Sequence, residues 1–397
     1  MTMIQDAKTP NDVHVIGVGM TPVGEHWEKS LRELALDAIT ALQADGVWVR
    51  PQALYVANML APYLSGQTQL AALLADFAGL RGIEAITIEA AGASGGAAAR
   101  QAYLAITSGV IDVALIVGVE KVTERTRAEL EAALSTSSDA DHEAVHGITP
   151  TAQAALLMRR YLHEHNVPDD AFAGFSLNAH ANAATNPQAI FRRAIQVENY
   201  LNAPMVSEPV NLFDAAPLAD GAATLLMARS DALPEALPYP PVRVAASSIV
   251  SNTVALHDRS DPLLLDSVVE STAQALQQAG LNLGDIDLFE LHDRYSIFAA
   301  LSLEAAGFAA RGEGWRLAHD GIIAKDGDIP ICTFGGSKAR GDTGGATGVY
   351  QLAEITLQLQ GRAGENQVQG AKIGMAQCLA ASGATAATHI FSREDGP

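Results

Sequence analysis

The strongest constraint on the fold is an alternation of apolar β runs with helix-compatible stretches that occurs twice along the chain. In the first half, strands are predicted at 13–19, 53–58, 85–88 and 111–118, with helices at 30–44, 67–80 and from about 92. In the second half, strands are predicted at 242–249, 287–291, 329–333, 371–377 and 386–391, with helices at 263–279, 296–306 and up to 360. Such alternation favours a parallel or mixed sheet covered on both faces. Two halves of similar order indicate duplication, with a site where the halves meet.

The domain boundary is predicted at the proline-rich run 233–241. This run gives a first half of residues 1–240 and a second half of residues 241–397. Residues from about 120 to 210 differ from the alternating pattern, because helices predicted at 152–165 and 169–184 are followed by clusters of Pro and Asn. We interpret this stretch as a cap inserted into the first half.

Composition excludes several partners and compartments. The net charge of −20 argues against nucleic acid or an anionic membrane as a partner. The two cysteines, Cys332 and Cys378, cannot form a disulfide framework and suit a reducing cytoplasm, and Cys332 is interpreted as structural. No apolar run is long enough to span a bilayer, and the first eight residues lack a signal-peptide pattern. A cytoplasmic protein without a membrane span is therefore expected.

Residues 87–100 hold the most informative motif, an apolar β run that breaks at small residues and continues as an alanine-rich helix. A strand, a tight turn and a helix place one residue at a helix N-terminus. Unpaired N–H groups and the positive end of the helix dipole face that position. Such a corner activates a nucleophile or holds an oxyanion. Here the corner residue is Gly92, which has no side chain to react.

The 87–100 stretch resembles the nucleophile turn of the thiolase superfamily, most closely in the branch of sterol-carrier-protein and archaeal acetyl-CoA acetyltransferase thiolases. Further matches follow in order at 109–121, at Asp214-x-x-Pro217-x-x-Asp220-Gly, at His292-Asp293, at 335–348, and at 370–374 followed by 383–385. The resemblance implies a five-layer α/β/α/β/α sandwich built from two βαβαβαββ halves. It also implies a CoA thioester as substrate or ligand, without a covalently bound cofactor or a metal.

The chain departs from the chemistry of that family. Thiolases use a cysteine thiolate that takes the acyl group, a histidine in a Gly-His-Pro context, a second acid–base group, and an Asn or His that holds a water near the enolate oxygen. Gly92 stands at the cysteine, Asp342-Thr343 stands at His-Pro, and Arg294 stands at the second cysteine of a His-Asp-Cys-Phe motif. An α-carbanion beside a thioester still requires hydrogen bonds to its oxygen as charge develops.

Five positions remain as candidate catalytic groups. The resemblance makes His292 the holder of the enolate-side water, Cys378 an acid–base group and Asp342 a base, while the backbone N–H groups of Gly92 and Ala380 would form an oxyanion hole. Each side chain also has a simpler interpretation: His292 as an ordinary buried histidine, Cys378 as a small apolar residue, and Asp342 as an N-cap or the ion partner of Arg294.

Two further residues have weaker signals. His146 resembles a residue of the loop over the pantetheine arm of CoA, and is equally consistent with a surface loop. Tyr295 is typical of a core position, although a tyrosine performs acid–base work in thiolase-like aldolases that depend on tyrosine.

Three functions remain open from the sequence. The first is an acyl-CoA enzyme that makes or breaks a C–C bond without an acyl-enzyme, as an aldolase or retro-aldolase. The second is an inactive acyl-CoA-binding or scaffold subunit, and the third is an acetyl-CoA C-acyltransferase that uses Cys378. By resemblance, the partners would be acyl-CoA, a second copy in a homodimer or tetramer, and a small OB-fold protein that binds acyl-CoA.

Overall fold

A computed structural model of the chain describes residues 12–168 and 170–394, so the first eight residues and Asp169 lie outside the described residues. The strands in this part are β1 Val13–Met20, β2 Ala53–Ala57, β3 Glu84–Ile88, β4 Val113–Glu120, β5 Met205–Ser207, β6 Val210–Asn211, β7 Gly221–Arg229, β8 Val242–Ser251, β9 Leu288–Glu290, β10 Ile373–Ala380 and β11 Thr385–Arg393. The helices are α1 Leu31–Ala44, α2 Leu70–Phe77, α3 Ser94–Thr107, α4 Arg127–Ser135, α5 Pro150–His165, α6 Ala173–Ala183, α7 Val197–Leu201, α8 Asp266–Ala279, α9 Ser296–Ala306, α10 Gly314–His319 and α11 Thr347–Leu359.

Nine of these strands form one mixed sheet in the order β3-β2-β4-β7-β1-β8-β11-β10-β9. The order is symmetric about the contact between β1 and β8, which is limited to the pairs His14–Arg243 and Val15–Val242. Strands β8, β11, β10 and β9 of the second half therefore repeat the arrangement of β1, β7, β4 and β2. The strands β5 and β6 form a separate hairpin.

Helices on both faces of the sheet complete the predicted layers. Apolar residues of α1 and α2 pack on the outer face of the first half, and residues of α8 and α9 pack on the second half. Helices α3 and α11 lie between the halves, where both contact strands of each half. The thiolase-like α/β sandwich expected from the sequence is confirmed. No helix in the described part of the chain has the length and apolarity needed to cross a membrane.

Helix α1 illustrates how the sequence sets these elements. The Ser30 N–H donates to Glu33 Oε2 at 2.8 Å, which closes the start of the helix. Leu34, Ala38 and Leu42 recur at helical spacing and are fully buried against the sheet.

The predicted strand at 329–333 is wrong in its extent. The structure retains a single parallel bridge between Ile331 and Phe289 of β9, which corresponds to the β2–β3 pairing of the first half. Pro330 cannot donate a ladder hydrogen bond, and Cys332 has a left-handed φ of +48°. Both features end the extended conformation after one pair.

The starts of the two central helices lie against each other at glycines. A Cβ built on Gly95 of α3 would lie 2.5 Å from the backbone nitrogen of Val349 in α11. A Cβ on Gly348 would lie 2.8 Å from Gly96 N and from Cys378 Sγ. Real Cβ atoms do not approach so closely, so this contact requires glycine. The two helix N-termini therefore meet at the centre of the molecule.

Candidate functional site

A large cavity of about 630 Å³ opens between helix α4, helix α6 and the loop that follows β6. Its lining residues are Arg127, Leu130, Glu131, Leu134, Thr151, His180, Ile190, Phe191, Arg192, Arg193, Ile195, Val206, Leu212, Phe213, Ala215, Ala216, Pro217, Leu218, Arg294, Tyr295 and Lys338. The volume lies within the range of small-molecule sites, and most of the wall is apolar.

Basic side chains are concentrated in this cavity, although the protein carries a net charge of −20. Arg127, Arg192, Arg193, Arg294 and Lys338 all line it. Arg192 and Arg193 are exposed to solvent, whereas Lys338 is buried. Lys338 Nζ donates to the carbonyl oxygen of Asp214 at 2.7 Å, so this ammonium group fixes the cavity wall. The exposed arginines remain available to an anionic ligand.

A second, inner cavity lies beside Gly92 and His292 and has a volume of only about 20 Å³. This volume holds about one water molecule. Arg294 and Tyr295 line both cavities, so they separate the large cavity from the inner one.

Gly92 and His292 are brought together as the sequence predicts. Gly92 lies in a short turn before α3, and the preceding Ala91 has a left-handed φ of +47°. Few residues other than glycine adopt this conformation, and it is found at functional sites that store strain. His292 follows β9, and its ring lies so close to Gly92 that a Cβ there would be 3.1 Å from His292 Cε1. The ring thus fills the space that a side chain at position 92 would need.

Asp342 and Arg294 form an ion pair at the same place. Arg294 Nε lies 3.3 Å from Asp342 Oδ2, and the two side chains are 12% and 1% exposed. Asp342 Oδ1 also accepts hydrogen bonds from Gly344 N at 3.0 Å and from Thr347 Oγ1 at 2.9 Å. Of the simpler alternatives for Asp342, the ion pair with Arg294 is present. Asp342 is not the N-cap of α11, which is Ala346, but it binds the turn that leads into this helix.

Electrostatics keep this group of side chains in a defined charge state. Burial raises the pKa of Asp342, but Arg294, His292 and the hydrogen bonds outweigh it and hold the pKa below its ordinary value. Burial lowers the pKa of His292 to about 4, with Asp342 opposing the change. At neutral pH the site therefore contains a neutral imidazole beside a charged carboxylate–guanidinium pair. His292 Nδ1 is buried and has no hydrogen-bond partner among the described residues.

Tyr295 lies at the boundary of the two cavities with its hydroxyl group 2.8 Å from Thr151 Oγ1. The Arg294 guanidinium carbon lies 5.8 Å from the centre of the Tyr295 ring. The side chain is 4% exposed, which fits a core position, yet it lines both cavities. A hydroxyl group at this position can exchange a proton with a ligand in the large cavity.

The structure does not bring Cys378 to either cavity. Cys378 is fully buried behind the helix starts, where Gly96 and Gly348 approach its sulfur, and burial raises the pKa of its thiol to about 12. Leu379 and Ala381 line the inner cavity, but Ala380 does not. His146 is exposed and lines none of the cavities described here. These placements argue against the predicted roles of Cys378, Ala380 and His146.

Glu120, which no motif of the sequence indicates, joins the two halves near the site. Glu120 Oε1 accepts from Asn58 Nδ2 at 2.8 Å, and Oε2 accepts from Met59 N at 3.0 Å and from Gly345 N at 3.1 Å. Burial raises the pKa of Glu120 to about 7. An acidic residue that ends a strongly apolar strand was the available signal, since a charge so placed requires partners.

Asp293, Arg340 and Glu354 are further buried charged residues. Arg340 Nε lies 3.0 Å from Glu354 Oε1, and both side chains are 1% exposed. Asp293 accepts a hydrogen bond from Ser337 N at 2.6 Å. These contacts hold the 335–341 loop and tie it to Asp293, the residue after His292. Among the described residues, no group of three or more His, Cys, Asp or Glu side chains is arranged to hold a metal ion.

Comparisons with known proteins agree with this architecture. Residues 13–231 match the family model described as thiolase, N-terminal domain, and residues 248–393 match thiolase C-terminal domain-like. The chain is 42% identical to an acetyl-CoA acetyltransferase of Methanothermobacter thermautotrophicus over 96% of this chain and 100% of that one. It is 28% identical to 17-hydroxy-3-oxo-4-pregnene-20-carboxyl-CoA lyase of Mycobacterium tuberculosis, over 87% of this chain and 91% of that one. Among solved structures, an Ltp2-ChsH2(DUF35) aldolase superposes with a TM-score of 0.81 at 22% identity, over 98% of this chain and 99% of that one.

Proposed function

Because the chain belongs to the thiolase family, we propose that it is an acyl-CoA enzyme that makes or breaks a C–C bond next to the thioester without a cysteine acyl-enzyme. The observation that carries this proposal is the Arg294–Asp342 ion pair. Arg294, which is paired with Asp342, and Tyr295 lie between the basic cavity and the Gly92–His292 contact. By resemblance, acyl transfer would need a thiol and its activating base at this place.

The large cavity supports binding of the CoA thioester. Its exposed arginines, Arg192 and Arg193, suit the phosphate groups of CoA, and its apolar wall suits the pantetheine arm and the acyl chain. The inner cavity is too small for an acyl group. The reacting carbon would therefore lie at the Arg294–Tyr295 end of the large cavity.

The residues at that end suit aldol chemistry. In the cleavage direction, a base takes the proton of the C3 hydroxyl group of a 3-hydroxyacyl-CoA. The C2–C3 bond then breaks, its electron pair forms an enolate on the thioester oxygen, and a proton is added at C2. Arg294 supplies N–H donors for the enolate oxygen, His292 remains neutral behind it, and Tyr295 supplies a hydroxyl group for proton transfer. The products are a shorter acyl-CoA and an aldehyde or ketone.

The test is a direct assay with a series of 3-hydroxyacyl-CoA substrates. The shorter acyl-CoA and the carbonyl product are measured by mass spectrometry. We expect turnover in the wild type and a loss of about 100-fold or more in Arg294→Ala, because a charged donor to the enolate is removed. Wild-type protein that produces no carbonyl compound from any chain length, with and without an added OB-fold partner, would overturn the proposal.

A second function, an inactive acyl-CoA-binding subunit, is favoured by one observation. His292 occupies the space at Gly92, and the inner cavity retains room for about one water molecule. This function predicts binding of acyl-CoA by calorimetry without turnover in the same assay. The acyltransferase alternative is not proposed, because the Cys378 sulfur is enclosed by the central helices.

Strand β3 is an edge strand with a half-exposed surface, and Ile86 on it is 44% exposed. An exposed apolar edge strand pairs readily with another strand. We therefore propose a homodimer through β3, with a cytoplasmic location and an OB-fold partner at the mouth of the large cavity.

A further inference from the structure

We infer that Glu131 of helix α4 is the general base that takes the proton of the C3 hydroxyl group, and that the substrate is accordingly a 3-hydroxyacyl-CoA with a free hydroxyl group. This inference rests on the proposed function. It adds a residue that neither the sequence motifs nor the comparisons single out.

Helix α4 presents one face to the large cavity. Arg127, Leu130, Glu131 and Leu134 line the cavity, and their spacing of three and four residues puts them on the same side of the helix. Leu130 and Leu134 also pack in the small apolar core beneath it. The position of Glu131 is therefore fixed by the packing of its neighbours in the helix.

Glu131 is the acidic side chain of a cavity whose other charged lining residues, within the described part of the chain, are basic. Its Oε2 atom is buried and lacks a hydrogen-bond partner among the described residues. A buried carboxylate oxygen of this kind requires a donor. The hydroxyl group of a substrate in the cavity would be such a donor.

Arg294 connects Glu131 to the rest of the site. Glu131 and Arg294 line the same cavity. Burial alone would lower the pKa of Arg294, but Asp342, Tyr295 and, to a smaller extent, Glu131 raise it. Arg294 is paired with Asp342, and it shares the wall of the large cavity with Glu131. A substrate between Glu131 and Tyr295 would have a proton acceptor on one side of its C2–C3 bond and a proton donor on the other.

The proton balance of the step closes without a co-reactant. Glu131 accepts the hydroxyl proton as the C3–O bond becomes a carbonyl and the C2–C3 bond breaks. The electron pair moves to the thioester oxygen, which Arg294 holds, and the Tyr295 hydroxyl group donates its proton to C2. Transfer of the proton from Glu131 to the tyrosinate then restores both residues.

The test compares Glu131→Gln and Glu131→Ala with Glu129→Gln on the same helix. Glu129 caps α4 through Thr126 N at 2.8 Å and does not line the cavity, and glutamine can keep that cap. We expect Glu131→Gln to lower kcat by about 100-fold or more with KM within threefold, as for loss of a general base. Glu129→Gln should retain wild-type kinetics. Added formate should restore part of the activity of Glu131→Ala, since formate can replace a missing carboxylate but cannot repair a misfolded helix.

The outcomes separate this inference from the proposed function. Wild-type turnover with an unaffected Glu131→Gln, or a loss in Glu131→Ala that formate does not rescue, would overturn the inference and leave the proposed function intact. A wild-type protein that cleaves no 3-hydroxyacyl-CoA would overturn both. A 3-methoxyacyl-CoA that is cleaved as fast as its 3-hydroxy counterpart would also exclude a base acting on the hydroxyl group.

Discussion

His292 packs directly on Gly92: a Cβ at residue 92 would lie 3.1 Å from His292 Cε1 and 2.5 Å from the carbonyl oxygen of Leu379. We therefore predict that Gly92→Cys does not restore a thiolase. The added side chain must displace the imidazole ring or the β10 backbone, which costs about 1–3 kcal/mol of unfolding free energy. Thermal denaturation measures that loss. Gly284→Ala, at a glycine with open space and no left-handed φ, serves as the control for loss of glycine without crowding. An acetyl adduct on the new cysteine, detected by intact mass after incubation with acetyl-CoA, would contradict the prediction.

Asp342 is expected to matter for stability as well as for chemistry. Asp342→Ala leaves the Arg294 guanidinium buried without its partner, which should lower the unfolding free energy by about 3–5 kcal/mol. Urea denaturation measures the change. Asp76→Ala, which removes an exposed ion pair with Arg81, serves as the control and should leave the midpoint unchanged. Equal midpoints for the two variants would show that the buried pair contributes nothing.

Glu120 should make stability depend on pH. Burial raises its pKa from 4.5 to about 7, so between these values the folded state holds a proton that the unfolded state has released. Its contribution is present below about pH 4.5 and is lost as the pH rises through 7, so stability should fall over this window. Urea denaturation at intervals from pH 5 to pH 8 measures the slope. Glu120→Gln removes this titrating group and should reduce the slope. Glu290 and Glu354, with pKa values that burial raises to about 7 and about 8, should supply the remainder. An identical slope in the variant would disprove the assignment.

The basic mouth of the large cavity should determine CoA affinity. We predict that the double variant Arg192→Ala/Arg193→Ala weakens CoA binding at least about tenfold, because charge-assisted hydrogen bonds to phosphate are lost. The effect should shrink as salt is added. Calorimetry with CoA gives the affinity. The control is Arg159→Ala, which removes an arginine outside the cavity with a side chain that is 58% exposed. This variant should bind CoA as the wild type does. An equal loss of affinity there would show that the overall charge of the protein, and not the cavity, determines CoA binding.

The edge strand β3 should control the oligomeric state. Ile86→Lys places a charge on the exposed face of this strand and should convert a dimer into a monomer. Light scattering after size-exclusion chromatography measures the mass. Val110→Lys, which alters a residue that is 74% exposed beyond α3, tests whether the effect belongs to the strand itself. A dimer that survives Ile86→Lys would locate the interface elsewhere.

Local sequence patterns determine most of this fold, and the exceptions have identifiable causes. Long apolar strands such as Val113–Glu120 and helices such as Ser296–Ala306 lie where periodicity predicts them. Helix α4 was not predicted, because the polar stretch around it offers a weak apolar face and its capping box at Thr126 is a short signal. The third strand of the second half shrinks to one bridge because Pro330 interrupts it.

The candidate site was only partly predictable, because a motif gives the position of a residue along the backbone but not the direction of its side chain. Gly92, His292, Asp342 and Arg294 meet as the motifs indicate. Cys378 lies in the predicted strand, yet alternation along β10 directs its sulfur toward Gly96 and Gly348. Glu131 and Thr151 are far from Tyr295 in the sequence, and only the tertiary structure brings the three into the lining of one cavity.

The glycine contact between α3 and α11 has a consequence for how the protein can be divided. Each central helix covers strands of both halves, so neither half owns a complete hydrophobic layer. A fragment that ends at the proline-rich linker would expose to water the apolar surface of α3 that packs on the second half. A fragment that contains only the second half would likewise expose the surface of α11 that packs on the first half. Neither half should therefore fold when it is produced alone, and the two halves should form a stable core only together.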